Sequence, residues 1–238
     1  HCGCRSLRVR CTGAHCACSL WSEMSIVLHQ LNASPPCRAV RIVARLVGIV
    51  LELKDVNLLA KEQMQEAFLK LNPMHTIPTL QDDTFVLWES RAIMRYLVDM
   101  YAPDHSLYPK DVRTRALINQ FLDYDLGTFY RTVTDYFYAY LLKGEEKCPK
   151  KEAALLTSLR SLETVLDGNA KRFLVGQKMT LADISLLESL TVPEAVNYDL
   201  SPFPNVKTWY EWIQLKLSTV NEINTQGIAQ FRACLGMQ

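Results

Sequence analysis

The stretch Asn72-Pro73-Met74-His75-Thr76-Ile77-Pro78-Thr79-Leu80, followed closely by Trp88-Glu89-Ser90-Arg91, constrains this chain more than any other. It puts an Ile-Pro bond where a loop enters a strand. An X-Pro bond has only a small trans preference, so Pro78 is a candidate cis residue. A cis bond there turns the Ile77 N–H and C=O outward, ready to pair with a short extended peptide. Taken alone, Pro78 reads better as a trans proline bounding an edge strand. The residues downstream shift that balance. Glu89 and Ser90 directly precede a stretch in which Ile93, Tyr96, Leu97 and Met100 share one face while Arg91, Arg95 and Asp99 point elsewhere, which is helical spacing. The free N–H groups and positive dipole end at a helix start hold a carboxylate, and Glu89 beside them holds an ammonium; together they match an α-amino-acid head group. Simple N-capping by Ser90 is the competing account.

Hydrophobic periodicity then orders the first hundred residues. Residues 25–30 read as a strand and 35–47 as a helix with Arg38, Arg41 and Arg45 on its wet side, ended by Gly48. A second strand over 51–56, a helix over 63–71, a hairpin of Thr79-Leu80 with Phe85-Val86-Leu87 turned at Asp82-Asp83, and a third helix over 89–100 follow. This βαβ-α-ββ-α order is that of an α/β thioredoxin-like domain, here spanning 24–102, with a right-handed first crossover and a ligand site at strand C-termini and helix N-termini. Residues 103–110, with proline and little periodicity, read as a linker. Beyond them, 111–140, 150–166, 180–192 and 205–217 repeat apolar residues at three and four positions, which makes 111–238 an all-α C-terminal helical domain. Thr180 and Asp183 form a capping box, with Met179 and Ile184 as its hydrophobic staple, and so have a structural task.

The chain has 238 residues, enough for two small domains, with a formal charge of +1. That balance gives no case for nucleic acid or a membrane surface as partner, and no apolar run approaches the ~18 residues needed to span a bilayer. Five of the eight cysteines precede Met24, in a stretch without periodicity that also lacks the apolar core of a signal peptide. Residues 1–23 are therefore expected to be a disordered or artefactual leader, in preference to a zinc site built on Cys4, Cys11, Cys16 and Cys18. No other metal site is expected. Cys37, Cys148 and Cys234 are too few and scattered for a disulfide framework, which points to a reducing, cytoplasmic setting.

Three motifs in order, Ser34-Pro35-Pro36-Cys37-Arg38-Ala39-Val40, Asn72 to Leu80, and Trp88-Glu89-Ser90-Arg91-Ala92-Ile93, with Thr180-Leu181-Ala182-Asp183 further on, resemble the cytosolic glutathione transferases, most of all the arthropod delta and epsilon classes. The first motif is nearer epsilon and the third nearer delta. The likeness runs from about residue 25 to about residue 232. It implies that glutathione is a co-substrate, that no cofactor is needed, that the thiolate is conjugated to hydrophobic electrophiles in detoxification, and that the chain forms a homodimer. Ser34, read alone, is a helix cap preceding a first-position Pro35; the resemblance makes it the catalytic hydroxyl that points at the glutathione sulfur. The same resemblance implies that Gln63, His75, Ile77, Pro78, Glu89, Ser90 and Arg91 bind glutathione. It likewise implies that Pro36, Tyr130, Val133, Tyr138 and Phe231 meet the hydrophobic substrate. Gln63 replaces a family histidine, and Asn32-Ala33 replaces the usual Pro-Gly before the serine, a change in loop chemistry.

Two rivals stay open at this level. One is a non-catalytic carrier of hydrophobic ligands that keeps the fold, opposed by intact Ser34, His75, Glu89 and Ser90. The other is a thiol-disulfide oxidoreductase, since Cys37 stands where the second cysteine of a redox pair would be. Position 34, however, lacks the first, without which no mixed disulfide forms.

Overall fold

The computed structural model describes residues 26–167 and 172–237. The leader expected over 1–23, Met24, Ser25 and the zinc reading of the N-terminal cysteines lie outside the described residues. Strands β1 (Ile26–Gln30), β2 (Leu51–Asp55), β3 (Thr79–Asp82) and β4 (Phe85–Trp88) form one sheet in the order β2-β1-β3-β4. β1 and β2 are parallel, with Leu28 opposite Leu53, because helix α1 (Pro35–Leu46) carries the chain back between them. The β1–β3 and β3–β4 pairs are antiparallel. The hairpin turns at Asp83-Thr84, one residue later than expected, and Asp83 has the positive φ (54°) that two-residue hairpin turns require. Gly48, at φ 78°, follows the end of α1 as expected. The helix expected over 63–71 is divided: a 3₁₀ turn at Glu62–Met64 and helix α2 (Glu66–Leu71) flank Gln65, whose ψ of 148° breaks the ladder.

Strand alternation sends Leu28 and Leu80 into the main core with Val40, Val43, Ile93 and Leu97. On the other face His29 meets Phe68 of α2 edge-on, with ring centroids 5.9 Å apart. Helix α3 (Ser90–Tyr101) completes the first domain. The linker is no free tether. Leu107 and Tyr108 are buried, the Leu181 N–H donates to the Leu107 carbonyl at 3.0 Å, and the Arg115 guanidinium lies 3.9 Å from the Tyr108 ring centroid.

The second domain comprises α4 (Val112–Tyr124), α5 (Tyr130–Leu142), α6 (Pro149–Leu166), α7 (Leu181–Ala195), α8 (Pro204–Lys216) and α9 (Asn221–Cys234). Two features depart from the sequence reading. The single helix expected over 111–140 is interrupted by a π-helical turn, Asp125–Phe129, and α9 adds a helix after the last periodic segment named above. Helix α7 is buried nearly all round, its polar Asp183, Ser185, Glu188, Ser189 and Thr191 included. Its start is fixed by Asp183, whose carboxylate accepts from the Thr180 N–H (2.8 Å), the Thr180 hydroxyl (3.1 Å) and the Leu174 N–H (2.8 Å). One apolar cluster runs without interruption from the sheet through α1, α3 and α7 into the helical domain.

Candidate active site

Three polypeptide corners converge on one cavity of about 550 Å³. The first is the start of α1. Pro35 and Pro36 have no N–H, so Cys37 provides the first free donor of that helix. Ser34 is extended (φ −80°, ψ 117°), donates its N–H to the Leu31 carbonyl at 2.9 Å, and makes no side-chain capping bond. The cap that competed with catalysis for this residue is therefore unformed. Its hydroxyl approaches the Cys37 thiol instead. Cys37 is fully buried, and burial pushes its thiol up to about 11, partly offset by that hydroxyl. A buried neutral thiol packs as a small hydrophobe and is no redox nucleophile.

The second corner is the loop before β3. The Ile77–Pro78 bond is cis. Asn72, fully buried, holds the loop closed: its amide donates to the Thr76 carbonyl (3.0 Å) and the Thr79 hydroxyl (2.9 Å), and its oxygen accepts from the Met74 N–H (2.9 Å). His75, Ile77 and Pro78 line the cavity, as does Gln63 from the 3₁₀ turn, whose Oε1 is buried with no protein partner. The third corner is the start of α3. Glu89 sits at φ 70°, ψ 107°, a conformation that costs an L-residue about 1–3 kcal/mol, and it presents an exposed carboxylate beside buried Ser90. Both border the cavity.

Arg91 also borders the cavity, and its guanidinium is engaged by buried protein partners. It pairs with Asp125 at 2.5 Å and donates to the hydroxyls of Ser185 and Ser90, each at 3.1 Å, and lies 5.3 Å from the Tyr130 ring centroid. Asp125, wholly buried in the π-helical turn, also accepts from Ser189 at 2.7 Å. A charge this deep demands a partner, and the helical domain holds it.

The opposite wall belongs to that helical domain. Tyr130, Tyr138 and Phe231 line it, and Pro36 of α1 borders the same cavity. Val133 does not line the cavity, which corrects the substrate contact expected there: it is 0% exposed in the core. At about 100° per residue, Val133 lies about 140° around α5 from Tyr138, whereas Tyr130 lies about 80° from it. The hydroxyls of Tyr130 and Tyr138 are 3.4 Å apart, and burial raises the pKa of both phenols above the usual range, so they are protonated at neutral pH. Sequence reasoning missed Leu58, Leu59, Leu126, Leu142 and Cys234, all of which line the cavity. No signal separated these residues from ordinary core or surface positions. Among the described residues no group of three His, Cys, Asp or Glu side chains is placed to hold a metal, and no helix is long and apolar enough to cross a membrane.

The family model described as the N-terminal domain of glutathione S-transferase matches residues 33–100, and that of the C-terminal domain matches residues 116–214. The chain belongs to the glutathione S-transferase family. It is 41% identical over 206 residues to glutathione S-transferase D7 of Anopheles gambiae, covering 86% of this chain and 94% of that one. A delta-class glutathione transferase of Nilaparvata lugens superimposes with a TM-score of 0.83 at 39% identity, covering 89% of this chain and 98% of the other. Glutathione transferase BmGSTD1 of Bombyx mori gives a TM-score of 0.84 at 40% identity over 88% and 97%. This transferase accordingly pairs a thioredoxin-like N-terminal domain with an all-helical C-terminal one, and it conjugates glutathione.

Proposed function

We propose that glutathione lies along the N-terminal wall with its sulfur at Ser34, and that the helical wall receives a hydrophobic electrophile. The observation that carries this reading is that an uncapped Ser34 hydroxyl and the Glu89–Ser90 pair, each at a helix start, open onto one cavity. The γ-glutamyl ammonium pairs with Glu89 and its carboxylate with Ser90 and the α3 N-terminus. The Ile77 backbone pairs with the cysteinyl unit beside Pro78, and His75 and Gln63 hold the glycine carboxylate, Gln63 without the charge that a histidinium would bring.

A free thiol with pKa ~8.5 is only a few per cent ionised at neutral pH, and lowering it one unit takes about 1.4 kcal/mol. A Ser34 O–H donated to sulfur, a bond of about 1.5–3 kcal/mol to a charged acceptor, is the right size, and the α1 N-terminus adds positive potential. The thiol proton leaves to solvent. The thiolate then forms the C–S bond while the electrophile's leaving group departs or its π pair moves away. Glutathione is consumed as a substrate, and no cofactor enters the step. A homodimer is supported by apolar Phe85, Met100, Tyr101 and Leu117, exposed on β4, α3 and α4. A cytoplasmic setting is supported by Cys37, Cys148 and Cys234, all unpaired.

Ser34→Ala tests the reading. The expected outcome is retention on immobilised glutathione with near-native affinity, and turnover of a chloronitrobenzene substrate at pH 7 reduced about 10- to 150-fold. Direct titration of the bound thiolate should show its pKa raised. A titration left in place by Ser34→Ala would transfer the activation to another residue.

A further inference from the structure

The two residues before Ser34, Asn32 and Ala33, bring neither the fixed φ of proline nor the conformational freedom of glycine to this tight turn, yet the turn is closed, with the Ser34 N–H on the Leu31 carbonyl at 2.9 Å. The reason lies beneath it. Arg38 was expected on the wet side of α1, one turn after Ser34; it is 1% exposed. Its Nη1 donates to the carbonyls of Ala33 (2.8 Å) and Asn32 (3.2 Å), the peptide groups leading into Ser34. Its remaining nitrogens reach the helical domain: Nε pairs with Glu188 of α7 (3.0 Å) and meets the Asn224 Oδ1 of α9 (3.1 Å), and Nη2 meets the Thr191 hydroxyl (2.5 Å). Arg41, one turn further on, donates to the Asn32 side chain, gripping the turn from the other side. Helix α9 closes over this group only because residue 227 is glycine: a Cβ there would stand 2.3 Å from Arg38 Cδ and 2.6 Å from the Asn32 carbonyl oxygen.

We propose that Arg38 is a positioning residue for thiol activation, clamping the Asn32 and Ala33 carbonyls so that the Ser34 hydroxyl is held on the glutathione sulfur, with the clamp anchored on α7 and α9. Its charge is neutralised by Glu188, so the guanidinium acts through geometry and not through its own field at the sulfur. A hydroxyl bond to a thiolate weakens steeply with misalignment, and a turn free to shift by a fraction of an ångström loses it in part. Because α9 also carries Phe231 and Cys234 into the acceptor wall, the same anchor ties the acceptor side of the cavity to the serine turn.

This inference rests on Ser34 being the activator, and a double-mutant cycle separates the two claims. Arg38→Met combined with Glu188→Gln replaces the buried ion pair by neutral groups of similar volume and leaves no orphaned charge. The full chain is titrated for bound thiolate, and its turnover is followed against pH. The expected result is a bound-thiol pKa higher by about one unit and a roughly tenfold slower rate at pH 7 that recovers at alkaline pH, with glutathione affinity unchanged. In a Ser34→Ala background the same pair of changes should add no further shift. Gly227→Ala, which removes no polar group, should move the pKa in the same direction by crowding Arg38, and it serves if the double replacement does not fold. An unchanged thiol pKa in folded Arg38 and Gly227 variants, with Ser34→Ala still shifting it, would leave Arg38 as a fastener between domains and overturn the proposal. Full additivity with Ser34→Ala would overturn it too. A Ser34→Ala variant with no shift of its own would instead bring down the underlying assignment.

Discussion

The two walls of the cavity are made differently. The N-terminal wall is built from chain corners: the start of α1, the loop before cis Pro78 and the start of α3 each present backbone groups and short polar side chains set by their own neighbours in sequence. The helical wall is a patch of apolar side chains from the π-helical turn, α5 and α9, drawn from Leu126 to Cys234. Local chemistry suits a co-substrate that never changes, whereas a patch of interchangeable apolar groups suits electrophiles that do. Between the walls run two buried ion pairs, Arg38–Glu188 and Arg91–Asp125, each joining the first domain to the second.

The sharpest break of that comparison is Arg91→Ala. A glutathione contact would lose affinity on truncation; an interdomain pair loses stability. With Asp125 left uncompensated in the core, the expected loss is about 3–5 kcal/mol of unfolding free energy, read by denaturant titration, with glutathione affinity in the remaining folded fraction little changed. Glu89→Ala should do the reverse. Its carboxylate is exposed in the free protein, so the loss of glutathione affinity is expected at about 1–2 kcal/mol, below that of a desolvated charge pair, with stability unchanged or slightly raised. Calorimetry that finds native affinity in folded Glu89→Ala would take the residue out of the site.

Leu126→Ala and Leu142→Ala sharpen the other side. Both leucines are about half exposed, so truncating each should raise KM for a hydrophobic acceptor by roughly 0.5–1 kcal/mol equivalent while KM for glutathione stays constant. Equal changes in both constants would mean that the two walls are not separable. The smallest effect expected is a chemical one. Alkylation at neutral pH should label Cys148, whose thiol pKa is lowered by the Lys151 and then the Lys150 N–H groups, and exposed Cys234, while sparing Cys37. Mass spectrometry showing Cys37 modified in the folded protein would reopen a redox role for it.

The same contrast explains what was legible. Pro78, Glu89 and Ser90 stood out because a helix start or a proline-bounded turn is specified within about four residues of chain, whereas Ser34 reads alone as a cap and takes its catalytic role from the resemblance. Val133 was placed with the substrate by the resemblance, and periodicity could not correct it, since it tells that a helix is amphipathic and not which stripe faces a cavity and which faces the core. Arg38 was misread for a related reason. On a helix pattern a charged residue reads as solvated, and nothing nearby announced a partner 150 residues away in Glu188. The continuous helix expected over 111–140 hid the π-helical turn, because the extra residue per turn at Asp125 answers to Arg91, Ser185 and Ser189 and not to local propensity.

By itself, then, the sequence determined the order of strands and helices in the first domain, the capping box at Thr180 and Asp183, and the corners at Pro78 and at Glu89–Ser90, all of them matters of short-range geometry and backbone hydrogen bonding. Only the tertiary structure decided which phenols and leucines form the acceptor wall, which arginines are buried, and how the serine turn is held. Those outcomes depend on desolvation, and a side chain is desolvated by whatever the rest of the chain folds against it.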